Sequence, residues 1–300
     1  MAAARERGRL RTGVLDVAFE HSGRRGGPPV VLLHGFPYDA RAYDEVGELL
    51  AAEGADVVVP YLRGYGDTRF LDAATVRSGQ QAALAHDLAD LIDVLGLDSP
   101  LVAGYDWGGQ AACIVAALWP ERVSALVTAN GYNIQDIAAS STPRQPKRER
   151  RLWYQYYLHG ERGADGLAAY RSDYARLLWQ EWSPSWEFSD ATFAATASSF
   201  DNPDFVDVVV HSYRHRFGLV DGDPAYQPTE DALARQPPIT VPSVVLDGAH
   251  DYVQPPKKRA DHEPRFPALV DYRVLDAGHN IPQEAPAEFA RAITDLSAAR

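Results

Sequence analysis

A single cysteine, Cys113, occurs in the 300 residues. No disulfide framework can staple such a chain, which points to a reducing, cytoplasmic setting. No apolar run approaches bilayer-spanning length. Residues 1–12 are rich in arginine but lack the apolar stretch of a secretory signal. Positive charge is in deficit, with 29 Lys and Arg against 41 Asp and Glu and a formal net charge of −12. That balance argues against nucleic acid or an anionic membrane as partner. There is no internal repeat and no low-complexity tract. What the chain does have is 46% hydrophobic residues, enough at this length to bury a large core.

Buried strands and amphipathic helices alternate through the first part of the chain. Residues 14–20 alternate like an early, partly exposed strand, and 28–33 and 55–60 are continuous apolar strands. Residues 43–52 and 76–95 show helical spacing, the second stopped by Gly96. Residues 123–129 form a further strand. The pattern resumes with strands at 241–246 and 270–275 and a closing helix at 285–296. Such alternation predicts an α/β fold with a mostly parallel central sheet flanked by helices. Ligands then bind beyond the carboxyl ends of the strands, where His34, Asp106 and Asn130 fall. Between 137 and 227 the strands stop and aromatic residues crowd into helical segments. This predicts an inserted helical cap, 137–227, between core segments 1–136 and 228–300.

The chemistry points to Gly104-Tyr-Asp-Trp-Gly108, which joins an apolar strand to an apolar helix. It is the G-x-S-x-G nucleophile turn with a carboxylate in place of serine. Alone, the pattern could be an ordinary aspartate in a strand-to-helix turn. As a nucleophile, however, aspartate implies attack on saturated carbon, because the resulting alkyl ester can still be hydrolysed, whereas the ether formed by a serine could not. Asp106, Asp251 and His279 follow the order nucleophile, acid, histidine, each just past a core strand. His279 is the expected base, and Asp251 the group that orients its ring. Asp247, Asp276 and Asp136 are alternatives for the acid.

These residues, with His34-Gly-Phe-Pro37, Arg63-Gly-Tyr-Gly66 and Gly278-His279, resemble α/β-hydrolases of the epoxide hydrolase and haloalkane dehalogenase group over nearly the whole chain. The resemblance implies an oxyanion hole from the backbone N–H groups of Phe36 and Trp107. It also implies two cap tyrosines that hold the epoxide oxygen. The matching positions are Tyr154, with Tyr156 and Tyr157 as rivals, and Tyr213. Tyr213 is expected on a helix capped by Asn202, with Pro203 in its first turn and Phe205, Val209 and Tyr213 on one face. Phe36 stands where dehalogenases usually carry Asn or Glu, so the likeness is greater to epoxide hydrolases; Trp107 is neutral between the two.

The expectation is therefore a hydrolase opening epoxides to vicinal diols through an ester on Asp106. His34, Trp107, Tyr154 and Tyr213 would contact a small apolar or aromatic substrate, with no cofactor and with the chain a monomer or homodimer. The alternatives are haloalkane or haloacid dehalogenation by the same triad and a non-catalytic binding protein. His211 and His215, at i,i+4, lack a third ligand in pattern, so no metal is expected. The basic stretch 144–151 reads as a solvated cap hinge.

Overall fold

The computed structural model describes residues 5–298; residues 1–4 of the arginine-rich N-terminus lie outside it. The described strands are β1 (Glu6–Arg11), β2 (Leu15–Gly23), β3 (Pro29–Leu33), β4 (Asp56–Pro60), β5 (Arg69–Phe70), β6 (Leu101–Gly104), β7 (Ala125–Ala129), β8 (Ser243–Gly248) and β9 (Leu269–Leu275). They form one sheet in the order β1-β2-β4-β3-β6-β7-β8-β9, with β5 alongside β2. From β4 to β9 every pairing is parallel, and β1 and β2 are antiparallel additions at one edge. A parallel sheet is covered on both faces, which is why β3, β6 and β7 are apolar runs rather than alternations. The sheet is covered by helix pairs, α1 (Asp44–Ala52) with α13 (Pro286–Ala298), and α2 (Gln81–Leu95) with α3 (Asp106–Leu118).

Several boundaries differ from the sequence reading. The arginine-rich start forms β1, and with β1 on one side and β4 on the other β2 is buried rather than partly exposed. The helix expected from 76 begins at Gln81. Residues 76–80 spend their polar groups on distant partners. Ser78 O accepts the Arg63 guanidinium at 2.8 Å, and Gly79 N–H donates to His211 Nδ1 at 3.1 Å. Gly96 ends α2 with φ 63°, the left-handed stop its sequence position predicts.

Between β7 and β8 the described residues contain helices and no strand. They are α4 (Pro146–Glu149), α5 (Trp153–Tyr157), α6 (Glu161–Ala169), α7 (Arg171–Trp182), α8 (Asp190–Ala197), α9 (Phe205–His215) and α10 (Gln227–Leu233). The last of these faces the sheet's own helices, since Glu230 accepts the Ala82 N–H at the start of α2 at 3.1 Å. Of the basic stretch, residues 144–148 are exposed and Glu149 is half-buried. Two short helices, α11 (Arg259–His262) and α12 (Ile281–Glu284), follow β8 and β9.

Candidate active site

Asp106 stands on the bend between β6 and α3 with φ 49°, a left-handed backbone that non-glycine residues adopt only when the surroundings enforce it. The enforcement is steric. α3 comes so close to β3 that a Cβ at Gly108 would lie 2.0 Å from Leu33 O. The bend lifts the carboxylate off the sheet at the N-terminus of α3, where the helix dipole favours negative charge. Among the described residues one donor reaches that carboxylate, the Phe36 N–H, at 2.8 Å to Oδ1. Trp107 N–H does not bond to it. Oδ2 is left facing His279 Nε2 at 3.8 Å.

His279 follows β9 and is fully buried. Its Nδ1 lies 2.8 Å from Asp251 Oδ2. Asp251 is itself fixed by Asn130 Nδ2 at 2.7 Å and by the Val253 and Gln254 N–H groups at 2.7 and 2.8 Å. An acceptor held by so many donors aligns the imidazole with Nδ1 as the N–H and Nε2 towards Asp106. Burial alone would strip the histidine of its proton. The Asp251 and Asp106 carboxylates outweigh that and push His279 up to about 10. The other candidate acids are engaged elsewhere. Asp247 takes His262 and the Tyr272 hydroxyl, Asp276 takes the exposed His250, and Asp136 accepts the Ala139 N–H.

The two tyrosines meet across this group. Tyr154 on α5 and Tyr213 on α9 have ring centroids 5.4 Å apart at 86°. Tyr213 packs on Phe36 and Trp107 at 5.2 and 5.9 Å, and its hydroxyl has no protein partner. Tyr154 Oη accepts Gln155 Nε2 at 2.7 Å, so its own proton remains to give. Burial, with Asp106 adding, pushes both hydroxyls above the usual tyrosine range, so both stay protonated. The rivals face elsewhere, for Tyr156 bonds Glu149 and Tyr157 stacks on Tyr174. The helix bearing Tyr213 starts at Phe205, so Pro203 precedes it. Asn202 accepts the Asp204 N–H but gives its amide to Gly66 O and Thr68 O, tying the insertion to the core.

His34 is a correction. Its Nε2 accepts the Leu62 N–H at 3.1 Å and its Nδ1 bonds Gly35 O at 3.0 Å. Burial drives it down to about 4, so it is neutral, and neither nitrogen is free for a substrate. His34 braces the turn that presents Phe36. Trp182, at the end of α7, was missed. Its ring lies 5.0 Å from His279 and 4.8 Å from Tyr154, and its indole N–H, like that of Trp107, is buried without a partner. No motif marks it; only the packing of α7 brings it here. Asn130, by contrast, announced itself by standing at the end of β7.

His211 is held by backbone groups at both nitrogens and stacks on His215. No cluster of potential metal ligands occurs among the described residues, and no helix is long and apolar enough to cross a membrane.

A strained carboxylate at a strand-to-helix bend, a histidine past a later strand and an acid behind it define a hydrolase of the α/β type. The chain belongs to the alpha/beta hydrolase fold family, whose pattern matches residues 28–286. Within it the chain is epoxide hydrolase-like. It is 43% identical to a provisionally named epoxide hydrolase from Klebsiella pneumoniae of known structure, covering 98% of this chain and 97% of that one with a TM-score of 0.94. Among curated relatives, human epoxide hydrolase 4 is 29% identical over 50% of this chain and 40% of its own length. Epoxide hydrolase 2 of Siraitia grosvenorii is 38% identical over 34% and 31%. The matches thus span well under half the length of these relatives.

Proposed function

We propose that the protein hydrolyses epoxides to vicinal diols through a covalent ester on Asp106. The observation that carries this reading is the disposition of one carboxylate. One oxygen of Asp106 is held by Phe36 N–H, while the other is unbonded 3.8 Å from His279 Nε2, with the paired tyrosines near enough for the Asp106 charge to raise both hydroxyls. Residues 137–227 act as the cap that brings Tyr154 and Tyr213 over it. Trp107, Trp182 and Phe36 give the site an apolar, aromatic wall, suited to a small apolar or aromatic epoxide.

In the first step Asp106 Oδ2 attacks an epoxide carbon and the carbon–oxygen bond breaks. The oxygen takes a proton from a tyrosine hydroxyl as its charge develops. An alkoxide leaving group needs such a donor, and general acid catalysis contributes about 10²–10⁴-fold. Esterification then removes the Asp106 charge, one of the two that raise His279. The imidazole can now give its proton back to the tyrosinate left by ring opening and serve as base. It deprotonates a water that attacks the ester carbonyl, while Phe36 N–H, joined by Trp107 N–H, steadies the oxyanion. Such a donor is worth about 2.7–4 kcal/mol. Collapse expels the diol oxygen, which takes the proton that His279 drew from water. The second water proton then passes from the Asp106 carboxyl to His279, restoring the carboxylate and the charged imidazole.

Single turnover in ¹⁸O-water tests the pathway. Label is expected in the Asp106 carboxylate after one turnover, with the first diol unlabelled; a first diol labelled directly from solvent excludes the ester. One observation favours halide as a second leaving group, namely the unpartnered Trp107 indole N–H, a donor strong enough for an anion that needs no proton. A panel of epoxides and alkyl halides, assayed for diol and for halide, separates the two.

A further inference from the structure

The loop carrying His279 presents three consecutive backbone N–H groups, and two side chains outside the triad take all of them. Glu284, at the end of α12, accepts Gly278 N–H at 2.6 Å and Asn280 N–H at 3.0 Å. Ser183, just past the last turn of α7, accepts His279 N–H at 3.1 Å and donates its hydroxyl to Glu284 at 2.5 Å. The His279 N–H also reaches Trp182 O at 3.2 Å. The two segments touch so closely that a Cβ at Gly278 would lie 2.6 Å from Ser183 Cα. The imidazole therefore hangs from a backbone whose position is set from inside the helical insertion as well as from the sheet.

We infer that Ser183 and Glu284 are positioning residues for His279, coupling the seating of the insertion to the aim of the base. Their hydrogen bonds fix the peptide from which the ring projects, while Asp251 fixes only the ring's rotation. Glu284 adds a third carboxylate near His279, beside Asp106 and Asp251; the ring of Tyr105, 6.4 Å from His279, and the hydroxyl of Tyr38, beside Ser183 and Glu284, are further titratable neighbours. Removing the Glu284 charge should lower the basicity of His279 as well as loosen the loop. Because the ester pathway uses His279 only after ring opening, the inference rests on that pathway for its kinetic form.

The test uses the full chain with Glu284→Gln, Glu284→Asp and Ser183→Ala. With an epoxide under pre-steady-state conditions, Glu284→Gln and Ser183→Ala should slow ester hydrolysis roughly 10–100-fold, the range expected when a group that orients a catalytic ligand is removed. Ring opening should be nearly unchanged, so kcat and KM fall together, and Glu284→Asp should recover part of the rate. Titration of the His279 ring by ¹⁵N NMR in the resting enzyme needs no ester, and Glu284→Gln should move that titration to lower pH. An unchanged His279 titration, or ring opening and hydrolysis slowed equally, overturns the inference. If wild type forms no ester but Glu284→Gln still shifts the titration, the pathway fails and the positioning stands. Should Glu284→Gln not fold, Ser183→Ala, which removes one hydroxyl, decides through its hydrolysis rate and the His279 chemical shifts.

Discussion

Asp106, Asp251 and His279 follow three parallel strands, whereas Tyr154, Tyr213 and Trp182 lie on helices of the insertion. The first three are held by directed bonds. Asp251 accepts two backbone N–H groups and the Asn130 amide, and Asp106 accepts Phe36 N–H. The second three are held by aromatic packing, and neither the Tyr213 hydroxyl nor the Trp182 indole finds a protein partner. Directed bonds fix angle as well as distance, which a nucleophile and its base require. Packed rings leave their polar ends free, which suits groups that must adapt to a substrate's oxygen. In the proposed mechanism the sheet would thus supply the nucleophile and base, and the insertion the proton.

If that division is right, damage to the two sides should differ in kind and size. Asp106→Asn should cost the most, a loss of about 10⁴-fold or more in diol formation, comparable to removing a triad member elsewhere. Next, Tyr213→Phe should slow ring opening about 10²-fold while leaving ester hydrolysis nearly intact, with Tyr154→Phe similar. Rapid-quench separation of the two steps checks this; equal slowing of both steps would dissolve the distinction between sheet and insertion. With an alkyl halide, Tyr213→Phe should have little effect on halide release.

The smallest expected effect lies at the seam. Asp39, on the core side, accepts the Thr196 and Ser199 hydroxyls of the insertion at 2.9 and 2.6 Å. Burial pushes its carboxyl up to about 6, against its hydrogen bonds to Ser199, Arg41 N–H and Thr196. Its folded value exceeds the unfolded one of 3.8, so its contribution to stability is fully present below that value and is lost as pH rises through about 6. Melting temperature should therefore gain from this group between pH 7 and 5, and Asp39→Asn should gain less over the same interval. Identical slopes for the two proteins would remove Asp39 from the seam's pH response.

That Asp106, Asp251 and His279 would meet was legible because a sharp bend needs glycines on both sides of Asp106, and because the three follow one another in the chain order that strand-end residues of such a sheet require. Choosing among Asp251, Asp247 and Asp276 needed the fold, since all three lie in or just past the same pair of strands and differ in where their side chains turn. The insertion was legible as composition, an aromatic stretch without strands, but the direction of each ring depends on helices that pack at angles no spacing records. Trp182 and the Ser183–Glu284 contact are of that kind. His34 misled for the opposite reason: a histidine in a motif looks functional, and only the Leu62 N–H and Gly35 O show it spent on the backbone.

The account turns on a bond between Asp106 and the substrate, and intact-mass spectrometry of a His279→Gln variant exposed to an epoxide tests that bond most directly. Without the base the ester should persist, so the protein should gain the mass of one substrate molecule, on the peptide that contains Asp106. Protein of unchanged mass that still yields diol, or an adduct on any other residue, would contradict it.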